Sequence, residues 1–345
     1  MILAEPTGPM TKPRFLLSVT NDDNDFQIEQ AVAARQAANK AGVDLEIVYA
    51  QDDGVLQSQQ LLNRIQSTVD PRPNAILFEP AGSTVLPQVA HAAAAAGIGW
   101  VVLSRDAEYL NELRTVFRVP AFVVTADHEE IGRIQGRQLT ALLPEGGLVL
   151  SIQGPSQSLA AKQRHIGLLE TKPENVQLRI LKAHWSEASS HKAVTSWLRL
   201  STSRGTEIAA VCAQDDSMAV GARKAFEECA HELRQSWLRT PFLGCDGMPK
   251  TGQEWVRSGI LTATVCSPPT AGIGIELMAR FIEHGTMPPV RTLTETRSIP
   301  AIEELARSAR AAASQERGAR ISTSPLPKET AAEAPSSPRS AKNPT

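Results

Sequence analysis

Polar side chains follow nearly every strand-like run of this 345-residue chain, at the point where the run ends. In open α/β sheets, ligands bind beyond the carboxyl ends of the strands, so we expect these groups to face a cleft. Their hydroxyl, amide, carboxylate and guanidinium groups suit a ligand rich in hydroxyls or amines. The residues are Asn21, Asp22, Asp23, Gln51, Asp52, Asp53, Glu79, Ser104, Arg105, Asp106, Asp127, Gln153, His184, Trp185, Gln214, Asp215, Asp216, Asp246 and Ser267.

A structural role competes with ligand binding at several of these positions. We expect Asp216 and Asp127 to cap the helices that follow them, because an aspartate there accepts hydrogen bonds from free backbone N–H groups. Arg105 fits a structural ion pair and a ligand contact equally well. Trp185 fits either the core of a lobe or a platform for a sugar ring, since both use its large flat surface.

Catalytic motifs are not recognisable in the sequence. The segment GPSQS (154–158) ends in serine where a nucleophile elbow needs glycine. The segment AGIGIEL (271–277) lacks the third glycine of a dinucleotide turn. The seven histidines form no HExxH, and no P-loop is present. We therefore expect neither an enzyme, nor a cofactor, nor a metal site.

Strand-like and helical periodicities alternate between residues 14 and 300, which predicts an α/β fold with parallel sheets. The number of strands favours two βαβ lobes over one sheet. The apolar runs are FLLSV (15–19), LEIVYA (45–50), AILFEP (75–80), GWVVLS (99–104), LVLSIQG (148–154), LRILKA (178–183), IAAVCAQ (208–214), PFLGCD (241–246) and LTATVCS (261–267).

Composition excludes several classes of protein. The 35 basic and 37 acidic side chains nearly cancel, which argues against a nucleic-acid binder. No apolar run approaches the ~20 residues that cross a bilayer. The four cysteines are widely spaced, so a reducing compartment is the simpler interpretation, with one or two disulfides as the alternative.

The two ends differ from the body of the chain. Residues 1–12 form an extension without a basic region followed by an apolar one, so no secretory signal is expected in the chain as given. Residues 307–345 are rich in Ala, Ser, Pro and charge, which predicts a disordered, solvated tail.

The chain resembles the type I periplasmic sugar-binding proteins, the ribose-binding group above all, whose fold also forms the effector half of lactose-repressor-like regulators. The resemblance covers about residues 13–300. It implies two lobes hinged by three crossovers, with 13–126 plus 268–289 as lobe one and 127–267 plus 290–306 as lobe two. The segments that carry it are TNDDNDF (20–26), AILFEP (75–80), VVLSRD (101–106), TADHEEIG (125–132), QGPSQSLAAKQRHIG (153–167), AVCAQDDSMAVGARKAF (210–226), FLGCDGMP (242–249) and GILTATVCSPP (259–269).

The resemblance also implies which residues touch a sugar: Asp22, Phe26, Glu79, Ser104, Arg105, Lys162, Trp185, Asp215, Asp246 and Ser267. Five of them depart from the family pattern. Asp215 and Glu79 stand where the family has asparagine. Ser104 replaces an aspartate, Lys162 an arginine and Ser267 a glutamine. One residue is also inserted around positions 23–25.

These departures change the charge of the expected site. An ionised carboxylate only accepts hydrogen bonds, whereas an amide also donates. Asp215 and Glu79 therefore favour a ligand with extra donors, such as an amino-sugar or another cationic polar molecule. Alternatively, Arg105 and Lys162 neutralise the carboxylates and restore a sugar-like pocket.

The resemblance implies non-enzymatic binding of a small carbohydrate or polyol, with lobe closure signalling to an ABC sugar permease or a membrane receptor. It places the protein in the periplasm or cell envelope, or in the cytoplasm if Met1 is the true start. A cytoplasmic sensor that presents its closed form to a kinase or regulator is the alternative. Segments 106–121 and 231–239, longer than the family's usual linkers, are expected to be variable surface loops, with partner-facing insertions as the alternative.

Overall fold

The structure is a computed structural model that describes residues 12–82, 84–203, 205–230 and 232–322. The strands, in chain order, are β1 (Arg14–Val19), β2 (Asp44–Tyr49), β3 (Ala75–Phe78), β4 (Gly99–Leu103), β5 (Ala121–Ala126), β6 (Gly147–Gln153), β7 (Val176–Lys182), β8 (Ala210–Ala213), β9 (Phe242–Asp246), β10 (Ala263–Cys266), β11 (Arg291–Thr294) and β12 (Arg297–Ile299). The helices are α1 (Asp25–Ala41), α2 (Gly54–Gln66), α3 (Pro87–Ala95), α4 (Leu110–Glu112), α5 (His128–Leu142), α6 (Leu159–Thr171), α7 (Glu187–Leu198), α8 (Asp216–Glu228), α9 (Arg234–Arg239), α10 (Gly252–Arg257), α11 (Thr270–His284) and α12 (Ile302–Ser322).

Two six-stranded sheets organise the fold. Sheet one has the order β11-β5-β4-β3-β1-β2, and sheet two has the order β12-β10-β9-β8-β6-β7. The strands pair in parallel, apart from β12, which runs antiparallel to β10. Central strands such as β3, β4 and β5 are buried along their whole length, because helices cover both faces of a parallel sheet. The predicted α/β fold with two lobes is confirmed.

The chain crosses between the sheets three times. It leaves sheet one after β5, returns after β10 and leaves again after β11. Strand β11 pairs with β5 in sheet one, so the third crossing lies beyond Thr294 and the predicted boundary between 289 and 290 is wrong. The short alternating strand RTLT has only one buried residue and carries little of the apolar signal that marks the other strands.

The hydrophobic core of each lobe includes segments that were predicted to be surface loops. Segment 106–121 contains α4 and places Tyr109 and Phe117 against the core of lobe one. Segment 231–239 contains α9, and its Trp237 is wholly buried beside Phe226 and Phe242 in lobe two. An aromatic ring that packs on the core removes a large apolar area from water, so both segments belong to the folded lobes.

The two ends of the chain differ in how far the structure describes them. The chain divides at Ala306 and Arg307 into two units. Helix α12 continues to Ser322, so the prediction of disorder is wrong for residues 307–322, where Ala, Arg and Glu have high helix propensity. The rest of that predicted tail, 323–345, and residues 1–11 lie outside the described part. Among the described helices, none is long and apolar enough to span a membrane.

Helices α5 and α6 approach each other through glycine. A Cβ on Gly167 would lie 1.9 Å from the carbonyl oxygen of Glu129, and a Cβ on Gly132 would lie 2.0 Å from that of Arg164. No side chain fits at such distances, so the two backbones are in direct contact. This contact fixes the position of α6, whose Arg164 faces the sheet edge described next.

Candidate functional site

The carboxyl ends of the two sheets face each other across a cleft, where three hydrogen bonds between described residues join the lobes. The amide of Asn24 donates a 2.9 Å hydrogen bond to the carbonyl oxygen of Trp185. Ser217 Oγ donates to Asp25 Oδ2 at 3.0 Å. His128 Nε2 lies 3.1 Å from the carbonyl oxygen of Ser104 and donates to it. The lobes are therefore in contact at the residues that follow β1, β4, β5, β7 and β8.

Asn24 begins helix α1 as well as bridging the lobes. Its side-chain oxygen accepts hydrogen bonds from the backbone N–H groups of Phe26 and Gln27, at 2.9 and 3.4 Å. An N-cap holds its side chain in one rotamer, which leaves the amide nitrogen directed at Trp185. The half-buried ring of Phe26 lies in the first turn of the same helix.

Arg164 is the buried cation of lobe two, with only 7 % of its surface exposed. It donates to the carbonyl oxygen of Gln214, and its Nη2 lies 3.5 Å from Asp246 Oδ1. Its guanidinium lies over the indole ring of Trp185, 5.6 Å from the ring centroid. Its Nε, also buried, has no hydrogen-bond partner among the described residues. Arg164 therefore keeps one buried donor without a partner among the described residues.

Of the two roles left open by the sequence, Trp185 fulfils the structural one, and its role as a platform for a sugar ring stays a prediction. It packs against the core of lobe two, and its ring occupies the space where a Cβ on Gly154 would lie. Its φ of 54° places it in the left-handed region, which is uncommon for a bulky residue and turns the ring back over the strand ends. The ring thereby supports the guanidinium of Arg164 from the cleft side of the lobe.

Asp215 and Asp246 share the charge of Arg164. Asp215 is the N-cap of α8 and accepts a 2.9 Å hydrogen bond from the N–H of Met218. Burial raises the pKa of Asp215 to about 7, and the negative charge of Asp246 adds to this shift. Burial also raises the pKa of Asp246, while Arg164 acts in the opposite direction. Asp25, from lobe one, repels both carboxylates.

Asp216 holds the turn that carries Asp246. Its carboxylate accepts from the N–H of Gly247 at 2.7 Å and from the hydroxyl of Thr264 at 2.6 Å. The expectation that Asp216 caps α8 is wrong, because Asp215 occupies the N-cap and Asp216 is already the first helical residue. The same expectation for Asp127 is correct, since it caps α5 and accepts from the N–H of Glu130.

Glu79 and Arg105 form the polar group of lobe one. Gln30 donates to Glu79 Oε2 at 2.8 Å, and Arg105 Nη1 donates to the carbonyl oxygen of Gly82 at 2.5 Å. Burial raises the pKa of Glu79, although the hydrogen bond from Gln30 and the charge of Arg105 act against that shift. Ser104 lies beside them, 3.5 Å from Gln30 Nε2.

A cavity of about 210 Å³ adjoins this group near the hinge. Ser104, Arg105, His128 and Arg291 are among the residues that line it. Burial lowers the pKa of His128 to about 4, with the charge of Arg164 as a further cause, so the imidazole is neutral near pH 7.

The ten predicted contact residues separate into three sets. Glu79, Ser104, Arg105, Trp185, Asp215, Asp246 and Ser267 lie at the facing strand ends. Phe26 lies in the adjoining first turn of α1. Asp22 and Lys162 are exposed. All ten thus lie near the carboxyl ends of strands, eight of them at least partly buried and two exposed, and their contact with a ligand stays a prediction.

Lys162, which the resemblance implies as a ligand contact, is exposed, whereas Arg164 on the same helix is buried. Residues two apart on a helix point about 200° apart, so Lys162 faces solvent while Arg164 faces the sheet edge. The buried face of α6 consists of Ala161, Arg164, Gly167 and Leu168. That 3-and-4 spacing is visible in the sequence and would have identified Arg164.

Asn24 and Asp25 are the other residues missed by sequence reasoning. They lie at the start of α1, where one residue is inserted relative to the family pattern. A carboxylate or amide side chain immediately before a helix is a recognisable N-cap signal, as at Asn24. Only the folded lobes show that the side chains of Asn24 and Asp25 both reach the opposite lobe.

The chain is similar in sequence to known binding proteins. Residues 15–286 match the family model of the periplasmic binding protein domain. The putative rhizopine-binding protein of Rhizobium meliloti is 29% identical over 197 residues, which cover 56% of this chain and 60% of that protein. The ribose import binding protein RbsB of Bacillus subtilis (strain 168) is 25% identical over 268 residues, which cover 77% of this chain and 80% of that protein.

A solved structure has the same fold. The crystal structure of a galactofuranose binding protein superimposes with a TM-score of 0.70 at 21% sequence identity, and the match covers 87% of this chain and 99% of that one.

Proposed function

The chain belongs to the periplasmic binding protein domain family, and on that premise we propose that it binds a small carbohydrate or polyol in the cleft between its lobes. Members of this family are solute-binding proteins and not enzymes, and the chain is a binding protein of the same kind. The ligand is held and released without covalent change.

One observation carries the proposal: polar groups of both lobes converge on one cleft. Arg164, Asp215 and Asp246 come from lobe two, and Asn24 and Glu79 come from lobe one. Their donors and acceptors are partly buried and match the alternating hydroxyl groups of a polyol. The unused Nε donor of Arg164 is directed to a ligand oxygen in this proposal, because a buried donor without an acceptor is unfavourable.

Closure of the lobes converts binding into a signal. A ligand that touches both lobes has its full set of contacts only when they are closed, so it shifts the population towards the closed form. The interlobe hydrogen bonds of Asn24, Ser217 and His128 contribute to the same state. The three crossings near residues 127, 268 and 295 serve as the hinge.

The partner proposed for the closed form is an ABC sugar permease. Relatives named as import binding proteins support it, and the family assigns such proteins to the periplasm or cell envelope. The closed arrangement presents the tips of both lobes at a fixed spacing, which a membrane partner can distinguish from the open form.

A thermal-shift screen tests the binding function. Pentoses, hexoses, inositols and amino-sugars are added one at a time, and a ligand at a hundred times its Kd stabilises the fold by ~2.7 kcal/mol. The matched variants are Asp246→Ala in the cleft and Asp44→Ala at the opposite end of sheet one. The first should abolish the shift and the second should retain it. If none of these compounds raises the Tm, the carbohydrate function is contradicted.

A further inference from the structure

Acidic groups outnumber basic groups at the cleft. Asp215 and Asp246 belong to lobe two, Asp25 and Glu79 to lobe one, and each of them influences or contacts another group of the site. The cations that face these four carboxylates are Arg164 and Arg105. When ionised, these four carboxylates exceed the two arginines by two negative charges, and the raised pKa values of Asp215, Asp246 and Glu79 reflect a burial that the arginines do not offset.

Both arginines already have partners. Arg105 donates to the carbonyl oxygen of Gly82 and lies near Glu79. Arg164 donates to the carbonyl oxygen of Gln214 and pairs with Asp246. The sequence left open whether Lys162 supplies a further positive charge. This side chain is exposed to solvent, whereas Arg164 lies on the buried face of α6.

Two further groups at the cleft, His128 and Asp216, add no positive charge. His128 is buried and neutral near pH 7. The carboxylate of Asp216, next to Asp215 in the chain, already accepts hydrogen bonds from the N–H of Gly247 and the hydroxyl of Thr264. Asp215 itself receives a hydrogen bond from the N–H of Met218 and shares Arg164 with Asp246. A buried carboxylate is unfavourable unless a cation or enough donors compensate it.

We infer that the natural ligand is an amine-bearing polyol, whose ammonium group binds between Asp215, Asp246 and Asp25 while a ring oxygen or hydroxyl accepts from Arg164 Nε. This inference rests on the proposed function, since it names the class of ligand for the same cleft. The ammonium supplies the missing positive charge and several donors. The unpartnered Arg164 Nε requires an acceptor, so an amine alone does not satisfy the site and a hydroxyl-bearing ring does.

The test compares matched pairs of compounds by isothermal titration calorimetry with the full chain. The pairs are glucosamine with glucose, galactosamine with galactose, and an aminocyclitol with its parent inositol, with N-acetylglucosamine as a neutral control of similar size. Charge-assisted hydrogen bonds are stronger than neutral ones. The Kd of the best amine should therefore be lower than that of its neutral parent by a factor of roughly ten or more. N-acetylglucosamine should show no such gain.

Two variants identify the source of the preference. Asp215→Asn and Asp25→Asn remove one carboxylate from each lobe and keep the side-chain shape, and each should reduce the preference for the amine over its parent. Glu228→Gln, at the other end of α8 from Asp215, is the matched control and should keep the preference. Asp25 is only partly buried, so its variant stays informative if Asp215→Asn folds poorly.

The outcomes separate the two proposals. Equal or tighter binding of the neutral parents, with measurable binding in the cleft, overturns the amine inference and leaves the polyol function intact. Loss of the amine preference in Glu228→Gln but not in the aspartate variants also overturns it. If neither amines nor neutral polyols bind, the proposed function fails and the inference fails with it.

Discussion

The guanidinium of Arg164 lies over the indole ring of Trp185, with 5.6 Å between the guanidinium carbon and the ring centroid. The two residues come from α6 and from the turn after β7. Stacking against the ring keeps the planar cation in one orientation, so that Nη2 faces Asp246 and Nε keeps its unused hydrogen. The guanidinium of Arg164 therefore contacts residues from two other elements of lobe two, Trp185 after β7 and Asp246 at the end of β9.

The first prediction concerns the two basic residues of α6. Arg164→Gln should weaken binding of the strongest ligand from the screen by roughly tenfold to a hundredfold, because it removes charge-assisted hydrogen bonds. Lys162→Gln, two residues earlier and exposed, should leave the Kd nearly unchanged. Titration calorimetry measures both. A larger loss in Lys162→Gln than in Arg164→Gln would show that the cation of the site has been misassigned.

The same pair of residues shows the limit of sequence comparison. The resemblance implies a ligand contact at Lys162, which is exposed, whereas Arg164 is buried on the same helix. Alignment by motif does not follow helical phase. Burial follows phase, and the Ala161, Arg164 and Leu168 face is the buried one. Asn24 and Trp185 illustrate a stricter limit, because a hydrogen bond between residues 161 positions apart depends on how the lobes meet.

The second prediction concerns the support of Asp246. Asp216→Ala leaves the N–H of Gly247 and the hydroxyl of Thr264 without their acceptor. The free energy of unfolding should fall by about 1–3 kcal/mol, since buried donors lose their partner. Chemical denaturation measures this value, with Glu228→Ala as the surface control. Unchanged stability in Asp216→Ala would contradict the role of this carboxylate in holding the turn.

The third prediction concerns the contact between α5 and α6. In Gly167→Ala, the new methyl group would meet the carbonyl oxygen of Glu129 at 1.9 Å, so the helices must move apart. Overpacking of this kind typically lowers stability by about 1–3 kcal/mol. Gly54→Ala, whose Cβ would meet neighbours at 3.6 Å, is the matched control.

Thermal unfolding compares these two glycine variants. Because α6 carries Arg164, Gly167→Ala should also weaken ligand binding, whereas Gly54→Ala should change neither property. Wild-type stability of Gly167→Ala would be inconsistent with the close approach of the two helices.

The fold was more predictable than the site, for a physical reason. Buried parallel strands and amphipathic helices leave periodic signals in the sequence, and these predicted the two lobes. The edge strands β11 and β12 lack a continuous apolar run and were missed. The apolar run AFVVTA of β5 (121–126) carries the signal and was also missed. Trp237 was assigned to a loop because its core contacts come from residues distant in sequence.

The fourth prediction concerns pH. Burial, with the charge of Asp246 as the next cause, raises the pKa of Asp215 from 3.8 to about 7 in the folded protein. The folded state then holds a proton that the unfolded state releases, so stability from this group is present below pH 4 and is lost as pH rises through 7. Asp246, Arg164, Asp25 and Asp216 face this carboxyl and contribute to its titration.

A difference between variants isolates that group. Asp215→Asn keeps a good N-cap and cannot ionise. In the ligand-free protein, Asp215→Asn should therefore be more stable relative to wild type at pH 8 than at pH 5, which means a more positive difference in the free energy of unfolding at pH 8. The opposing titration of His128 is present in both proteins and largely cancels. A difference that does not change between pH 5 and pH 8 would contradict the raised pKa of Asp215.

The crystal structure of the complex with the tightest-binding compound is the most direct test of the central claim, which is that one ligand is held by both lobes. We expect the compound between the sheet edges, within hydrogen-bond distance of Arg164 and Asp215 from lobe two and of at least one side chain from lobe one, with Glu79 and Asp25 as the expected partners. A compound bound to one lobe only, or in the cavity near Arg291 without contact to Arg164, would contradict the claim.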